Sequence, residues 1–197
     1  MGLNDSKKTS SDLLKLAVTL CLITLIMAGI LALIHFVTAP KIAALNQEKL
    51  ETAMAAVMPA GQSFEDVTQQ VSANWTNDVS LVNMQVAKDG NGEVIGYCIE
   101  VQPKGYSDVI DMMVGISADG EILDSSIISI SDTPGIGTRV KTDADFAAQF
   151  KGKTDTVTPG TGGVSLISGA TYSSTGFTNG INAALEAYKI LSGKVSG

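Results

Sequence analysis

Histidine is almost absent from this chain. His35 is the only one in 197 residues, so acid–base or metal chemistry built around histidine has nothing to draw on. Cysteine is nearly as scarce: Cys21 falls in a long apolar run and Cys98 in a strand-like stretch. The pair cannot close one intramolecular disulfide, and two isolated thiols have no metal-site spacing, so both read as structural filler. No strand-linked Gly-x-Gly-x-x-Gly fingerprint and no Gly-Lys-Ser/Thr phosphate loop occurs, which argues against reversible dinucleotide or ATP binding. A basic stripe interleaved with aromatics is missing too, and with it the footprint of a nucleic-acid binder. No nucleophile–base pair or spaced pair of carboxylates stands out, leaving an autonomous hydrolase without machinery. There is no internal repeat.

Apolar residues, by contrast, make up 45% of the chain, enough for one substantial packed domain with an appendage. Part of that content is not core. Leu16 to Val37 is an apolar run of 22 residues broken only by Thr19, Cys21, Thr24, Gly29 and His35. At roughly 1.5 Å of rise per residue it covers about 33 Å as a helix, which spans a bilayer. The run is long for the core of a secretory signal. Val37, Thr38 and Ala39 resemble a cleavage site, but Pro40 would follow the cut, and Leu20 is too bulky to precede a lipidated Cys21. The expectation is an uncleaved anchor. Lys7, Lys8 and Lys15 precede the span, against Lys41 and Lys49 after it, which points the N-terminus into the cytoplasm. The net charge of −7 divides into +1 over the first 40 residues and −8 over the rest, so the outer domain is acidic and is not drawn to anionic lipid. The expected organisation is a cytoplasmic tail over 1–15, a transmembrane helix over 16–37, a stalk helix over 38–61 and an extracytoplasmic domain over 62–197.

Beyond Pro40 the pattern stays helical, with Leu50, Met54, Val57 and Met58 on one face before Pro59, Ala60 and Gly61 end it. Residues 62–78 are polar around Trp75 and give no clear element. Alternation at Val82, Met84 and Val86, a turn at Asp89–Gly92, and alternation at Ile95, Tyr97, Ile99 and Val101 predict a hairpin. Residues 102–108 break the pattern. A second hairpin runs from Val109 to Ile130 around Asp119 and Gly120. A short helix is expected over 145–150, capped by Thr142 or Asp143, and a glycine-rich loop over 159–163. From about Thr175 to Leu191, Phe177, Ile181, Ala184, Leu185, Tyr188 and Leu191 recur at helical spacing. The expected fold class is α+β: an antiparallel sheet flanked by helices, behind one N-terminal transmembrane helix.

The segment Ser168-Gly169-Ala170-Thr171-Tyr172-Ser173-Ser174 concentrates the chemistry. Gly169 and Ala170 leave the Thr171 hydroxyl open to a modifying enzyme, and the helix that follows offers unpaired amides and a dipole end suited to an anion. Together they suggest a tethered phosphate ester on Thr171. A cap and turn are the plain alternative for such a run. The turn Asp132-Thr133-Pro134-Gly135-Ile136-Gly137 reads by itself as a strand end.

Taken in order, these two segments, with the strand pair turning between Gly115 and Gly120, resemble the FMN-binding domain family. By that resemblance Thr171 holds FMN through a phosphodiester that a dedicated flavin transferase installs from FAD. Ser168, Gly169, Ala170, Ser173 and Ser174 then surround the attachment, and Thr133, Pro134 and Gly135 contact the ring. Two positions depart from the family pattern: Asp132 stands for its usual Glu, and Ser165 for an Asp. With its short length and anchor, the chain resembles the G subunit of Rnf electron-transport complexes. That resemblance implies a covalent FMN on the outer face, other Rnf-type membrane subunits as partners, and electron transfer between ferredoxin and NAD coupled to Na⁺ or H⁺ movement. The C subunit of the sodium-pumping NADH:quinone oxidoreductase, an FMN domain of another extracytoplasmic redox system, and an anchored non-redox interaction module stand as alternatives.

Overall fold

The structure, a computed structural model, describes residues 3–160 and 162–193, with side chains from residue 15 onward. Helix α1 runs from Leu3 to Val57 and contains a stretch long and apolar enough to cross a membrane. Pro40 lies inside it, where the missing N–H removes one intrahelical bond. Large apolar side chains from Leu16 to Val37 are exposed to the surroundings, Leu16 at 73% and Phe36 at 79% among them. In water such a surface is costly; in lipid it is not. The chain divides into a unit ending at Glu48 and a compact unit beginning at Lys49.

Within the compact unit the sheet is an antiparallel meander in the order β1-β2-β3-β4-β5, built from β1 (Ser63–Asp66), β2 (Ser80–Lys88), β3 (Val94–Gln102), β4 (Ile110–Ser117) and β5 (Ile122–Ile130). The two expected hairpins are present, and β3 pairs with β4 to join them. The segment 62–78, unassigned from sequence, supplies β1 and the short helix α2 (Thr68–Ser72). Four-residue β1 carries no apolar alternation, so its pairing with β2 and the packing of Phe64 decide its conformation rather than its own pattern. Two short helices, α3 (Arg139–Thr142) and α4 (Ala144–Ala148), follow the sheet, and α4 is capped by Asp143, whose side chain accepts from the Phe146 N–H. Helix α5 spans Thr171–Leu191. It begins four residues earlier than the apolar period alone indicated, because its first turn is polar and is fixed by tertiary hydrogen bonds.

The sheet is covered on both faces. On one, Met84, Ile99, Val101, Met112, Val114 and Ile116 pack with the buried stripe of α5, where Phe177 meets Phe146 and Phe150 at ring separations of 5.2 and 5.3 Å. On the other, Ala87, Cys98 and Met113 pack with Ala53, Met54, Val57 and Met58 from the end of α1 and the turn after it. This second layer explains why β4 reads as a nearly continuous apolar run rather than an alternation. It also explains Gly115: a Cβ there would meet the Val57 carbonyl oxygen at 2.5 Å. Burial pushes the Cys98 thiol up to about 12, so it stays protonated and serves as packing.

Glu100, buried on the same face as Cys98, lies beside Asp111 of β4. Burial, the Asp111 charge and a hydrogen bond donated to Asp111 push Glu100 up to about 7. Burial also raises Asp111, against the hydrogen bonds of Gln102 and Glu100 and the attraction of Lys49. A carboxyl whose folded-state pKa lies above its unfolded value favours the fold while protonated. Its contribution is complete below the unfolded value and is lost as pH rises through about 7. Urea unfolding of the compact unit between pH 5 and 8 should therefore show stability falling with pH, and Glu100→Gln should flatten that slope. A slope unchanged in the Gln variant would contradict the burial of an ionisable pair here. Gly115→Ala should cost roughly 1–3 kcal/mol by overpacking against Val57, read in the same titrations.

Candidate functional site

The first turn of α5, the turn after β5 and the β3–β4 connection converge on one buried carboxylate. Asp132 is 3% exposed. Its Oδ1 accepts from the Ser107 N–H at 2.8 Å and its Oδ2 from the Tyr106 N–H at 3.2 Å. The Ser173 hydroxyl donates to Oδ2 at 2.5 Å. Burial alone would raise the Asp132 pKa, but the Ser107 N–H, the Ser173 hydroxyl and the Tyr106 N–H outweigh it and hold the carboxyl below its ordinary value. Close approach demands small neighbours: a Cβ on Gly137 would meet Asp132 Cβ at 2.5 Å and Ser173 Oγ at 2.8 Å.

Around this anchor lies a cleft of about 380 Å³ lined by Tyr106, Thr133, Ile136, Gly137, Gly169, Ala170, Thr171, Tyr172 and Ser173. A second cleft of about 550 Å³ shares the Tyr106–Thr171–Tyr172 wall and is closed by Lys104, Thr175, Gly176 and Asn179. Thr171 is the first residue of α5, and its predecessor Ala170 provides no side-chain cap. The helix start consequently presents amides without a side-chain acceptor, the arrangement that favours an anion. Gly169 holds φ +81°, a left-handed conformation that swings the chain into the helix at little cost only for glycine. Arg139 donates from Nη1 to the Ser168 carbonyl at 3.1 Å. Upstream, the Gln149 amide clasps the Ser165 backbone, accepting from its N–H at 2.7 Å and donating to its carbonyl at 3.2 Å. The loop is thus tied down without a carboxylate at position 165.

Of the residues singled out from sequence, Thr133, Gly169, Ala170, Thr171 and Ser173 line the first cleft. Pro134 and Gly135 are exposed beside it but form no part of its wall, and Ser168 is likewise exposed. Ser174 faces the core, where its hydroxyl accepts from the Ile167 N–H. Sequence reasoning left out Tyr106, Ile136, Gly137 and Tyr172, and gave Asp132 no role. Tyr106 carried a usable signal: it is a lone aromatic between Gly105 and Ser107, where a plain turn needs no ring.

A flavin mononucleotide would fit this arrangement. The cleft lies within the usual size range of small-molecule sites, it has apolar walls at Ile136 and Ala170, and an exposed hydroxyl stands at an uncapped helix start. Residues 105–186 match the FMN-binding domain family, and residues 8–57 match the RnfG N-terminal region. The fold and site define an FMN-binding domain carried behind a membrane-anchoring helix.

Relatives sharpen this. The chain is 31% identical to the G subunit of the Na⁺-translocating ferredoxin:NAD⁺ oxidoreductase complex of Acetobacterium woodii, over 90% of this chain and 92% of that one. It is 32% identical to the G subunit of the ion-translocating oxidoreductase complex of Methanosarcina acetivorans, over 90% and 95%. The G subunit of the proton-translocating ferredoxin:NAD⁺ oxidoreductase complex of Clostridium ljungdahlii is 29% identical over 87% and 89%. The chain belongs to the G-subunit family of Rnf-type ion-translocating oxidoreductase complexes. Among solved structures, NqrC of Shewanella oneidensis superimposes with a TM-score of 0.47 at 19% identity, covering 70% of this chain and 72% of that one.

Asp132→Asn should cost about 2–3 kcal/mol, the scale of hydrogen bonds to a charged group. A depressed carboxyl stabilises the fold above its unfolded pKa and loses that contribution as pH falls through its folded value. Acid titration of the wild type by circular dichroism should therefore show a loss below the ordinary aspartate value of about 3.9 that is smaller in the Asn variant.

Proposed function

We propose that this chain carries one FMN in phosphodiester linkage to Thr171 and relays electrons within an Rnf-type complex, between ferredoxin and NAD⁺, coupled to Na⁺ or H⁺ movement. The observation that carries the reading is the placement of Thr171: exposed, first in α5, and on the shared wall of both clefts. Ser173 and Ser174 are buried and committed to hydrogen bonds. Attachment joins the Thr171 oxygen to the FMN phosphorus of FAD, with AMP leaving and the hydroxyl proton released, catalysed by a flavin transferase. When bound, FMN exchanges electrons singly or in pairs.

The chain's own residues hold and orient. Amides at the start of α5 would hold the phosphate charge, Gly169 keeps the approach open, and Asp132 fixes the loops that form the walls. Tethering by the phosphate end leaves the ring free to shift between donor and acceptor. Lysine asymmetry about the span supports a cytoplasmic N-terminus and an extracytoplasmic FMN domain, with the other membrane subunits of the complex as partners.

Protein made together with an extracytoplasmic flavin transferase should keep yellow fluorescence on a denaturing gel. Thr171→Ala should abolish that band while changing stability by no more than about 1 kcal/mol, and Thr171→Ser should retain part of it. Thr175→Ala serves as the fluorescent control. A Thr171→Ala protein that still carries covalent flavin would refute the assignment. In membranes, the chain should resist alkaline carbonate extraction, and protease applied from the outer side should digest the domain while sparing residues 1–15. Digestion of the tail instead would invert the topology.

A further inference from the structure

The segment that leads into Thr171 is pinned from below at every third residue. Val164, Ile167 and Ala170 are buried, at 2%, 6% and 4% exposure, while Ser165, Ser168, Gly169 and Thr171 are exposed. Such pegs fix where the chain runs, but they leave its outward peptides free to rock. Polar ties from other elements remove that freedom. The Ser174 hydroxyl accepts from the Ile167 N–H at 3.2 Å, and Arg139 donates from Nη1 to the Ser168 carbonyl at 3.1 Å. Ser165 is held at both of its backbone groups, because the Gln149 side-chain amide accepts from its N–H at 2.7 Å and donates to its carbonyl at 3.2 Å.

Gln149 suits this task because its own origin is rigid. It caps the C-terminus of α4, its neighbour Phe150 is fully buried, and the rings of Phe146 and Phe150 pack on Phe177 of α5 at 5.2 and 5.3 Å. The residue is therefore fixed to the helix that begins with Thr171. From there one side chain reaches 16 positions along the sequence to grip a single residue twice. Hydrogen bonds open to water add little to global stability, since water replaces them when they break. Their effect falls on which conformer the loop holds.

We infer that Gln149 is a positioning residue for flavin attachment: by clasping Ser165 it holds residues 164–170 in the one arrangement in which the modifying enzyme takes up Thr171. The inference rests on the reading of Thr171 as the attachment residue. In that reaction the Thr171 oxygen bonds to the FMN phosphorus of FAD as the bond to AMP breaks, and the hydroxyl proton is released. Gln149 touches none of these atoms. It acts before the step, by sparing the enzyme the ordering of a loop that otherwise samples several shapes. When only a fraction of molecules is competent to bind, apparent affinity is reduced by that fraction. Loss of the clasp therefore appears in KM for the apoprotein and not in kcat.

For the test, the full chain is purified in detergent from cells that lack the flavin transferase, and initial rates of attachment are measured against its concentration with purified transferase and FAD. Gln149→Met keeps the reach of the side chain and removes both bonds. It should raise KM several-fold with kcat unchanged, keep the far-ultraviolet spectrum and the urea midpoint, and speed hydrogen exchange in the peptide containing Ser165. Asn182→Leu is the control. Asn182, in α5, clasps the Val157 backbone in the same two-bonded way, at 2.8 and 2.9 Å, but outside residues 164–170, so its loss should leave KM at the wild-type value.

A wild-type KM in the Gln149→Met protein overturns the inference, as does an equal rise in Asn182→Leu, which assigns the effect to general loosening. Unchanged exchange at Ser165 overturns it too. A wild-type chain that takes up no flavin brings down the reading of Thr171 and the positioning role with it, whereas equal KM values in a wild type that does load sink the positioning role alone.

Discussion

The site hangs on one carboxylate. Asp132 sits where the end of the sheet, the β3–β4 connection and the first turn of α5 meet, and it accepts from the Tyr106 and Ser107 N–H groups and the Ser173 hydroxyl. Its burial is unfavourable on its own, and the donors that offset that cost come from two separate stretches of chain, the β3–β4 connection and the first turn of α5. An uncompensated buried charge is far more costly than a compensated one, so the three segments are held to one another as strongly as each is held to Asp132. The role also accounts for the residue's length. A shorter side chain than glutamate leaves Gly137 and Ser173 in direct contact with it, and the turn closes tightly over α5.

The opposite face of the sheet answers a different need. The last turns of α1 pack on Ala87, Cys98 and Met113, so Ala53, Met54 and Val57 are part of the domain's core. Glu100 and Asp111 lie beside each other on that face, where burial raises both carboxyls and the hydrogen bonds of Gln102 and Glu100, with the attraction of Lys49, oppose the rise at Asp111. Close backbone approach at Gly115 makes the contact intimate, and the domain begins at Lys49.

Much of this was legible in the sequence where pattern and burial coincide. β2 and β3 alternate where one face meets α5, β4 is apolar on both of its covered faces, and α5 itself shows a helical stripe from Phe177 onward. The start of α5 was not legible: Thr171 to Ser174 have no apolar period, and the bonds of Ser173 to Asp132 and of Ser174 to the Ile167 N–H help to hold this turn in place. β1 was hidden for the same reason, since an edge strand of four residues takes its conformation from its neighbour. At the site, the local motif marked Thr171 and Gly169. That motif did not point to Tyr106, which lies 65 positions away in sequence from Thr171 and whose own signal was a lone aromatic between Gly105 and Ser107.

A covalent link is the physically economical answer to the surroundings proposed for this domain. Outside the cytoplasm free FMN is dilute, and a reversible site loses its occupant by mass action at low ligand concentration. A bond to Thr171 makes occupancy independent of concentration and relieves the protein of gripping the whole cofactor. The clefts suit such a division of labour: they are open, with exposed Tyr106, Ile136 and Tyr172, where a reversible binder would bury its ligand deeply. A ring tethered at its phosphate end and lightly held would be able to leave the cleft to meet a partner, whereas a fully enclosed one would not. The strength of the site is therefore concentrated at its base, in Asp132 and the start of α5, and its upper surface is left to exchange.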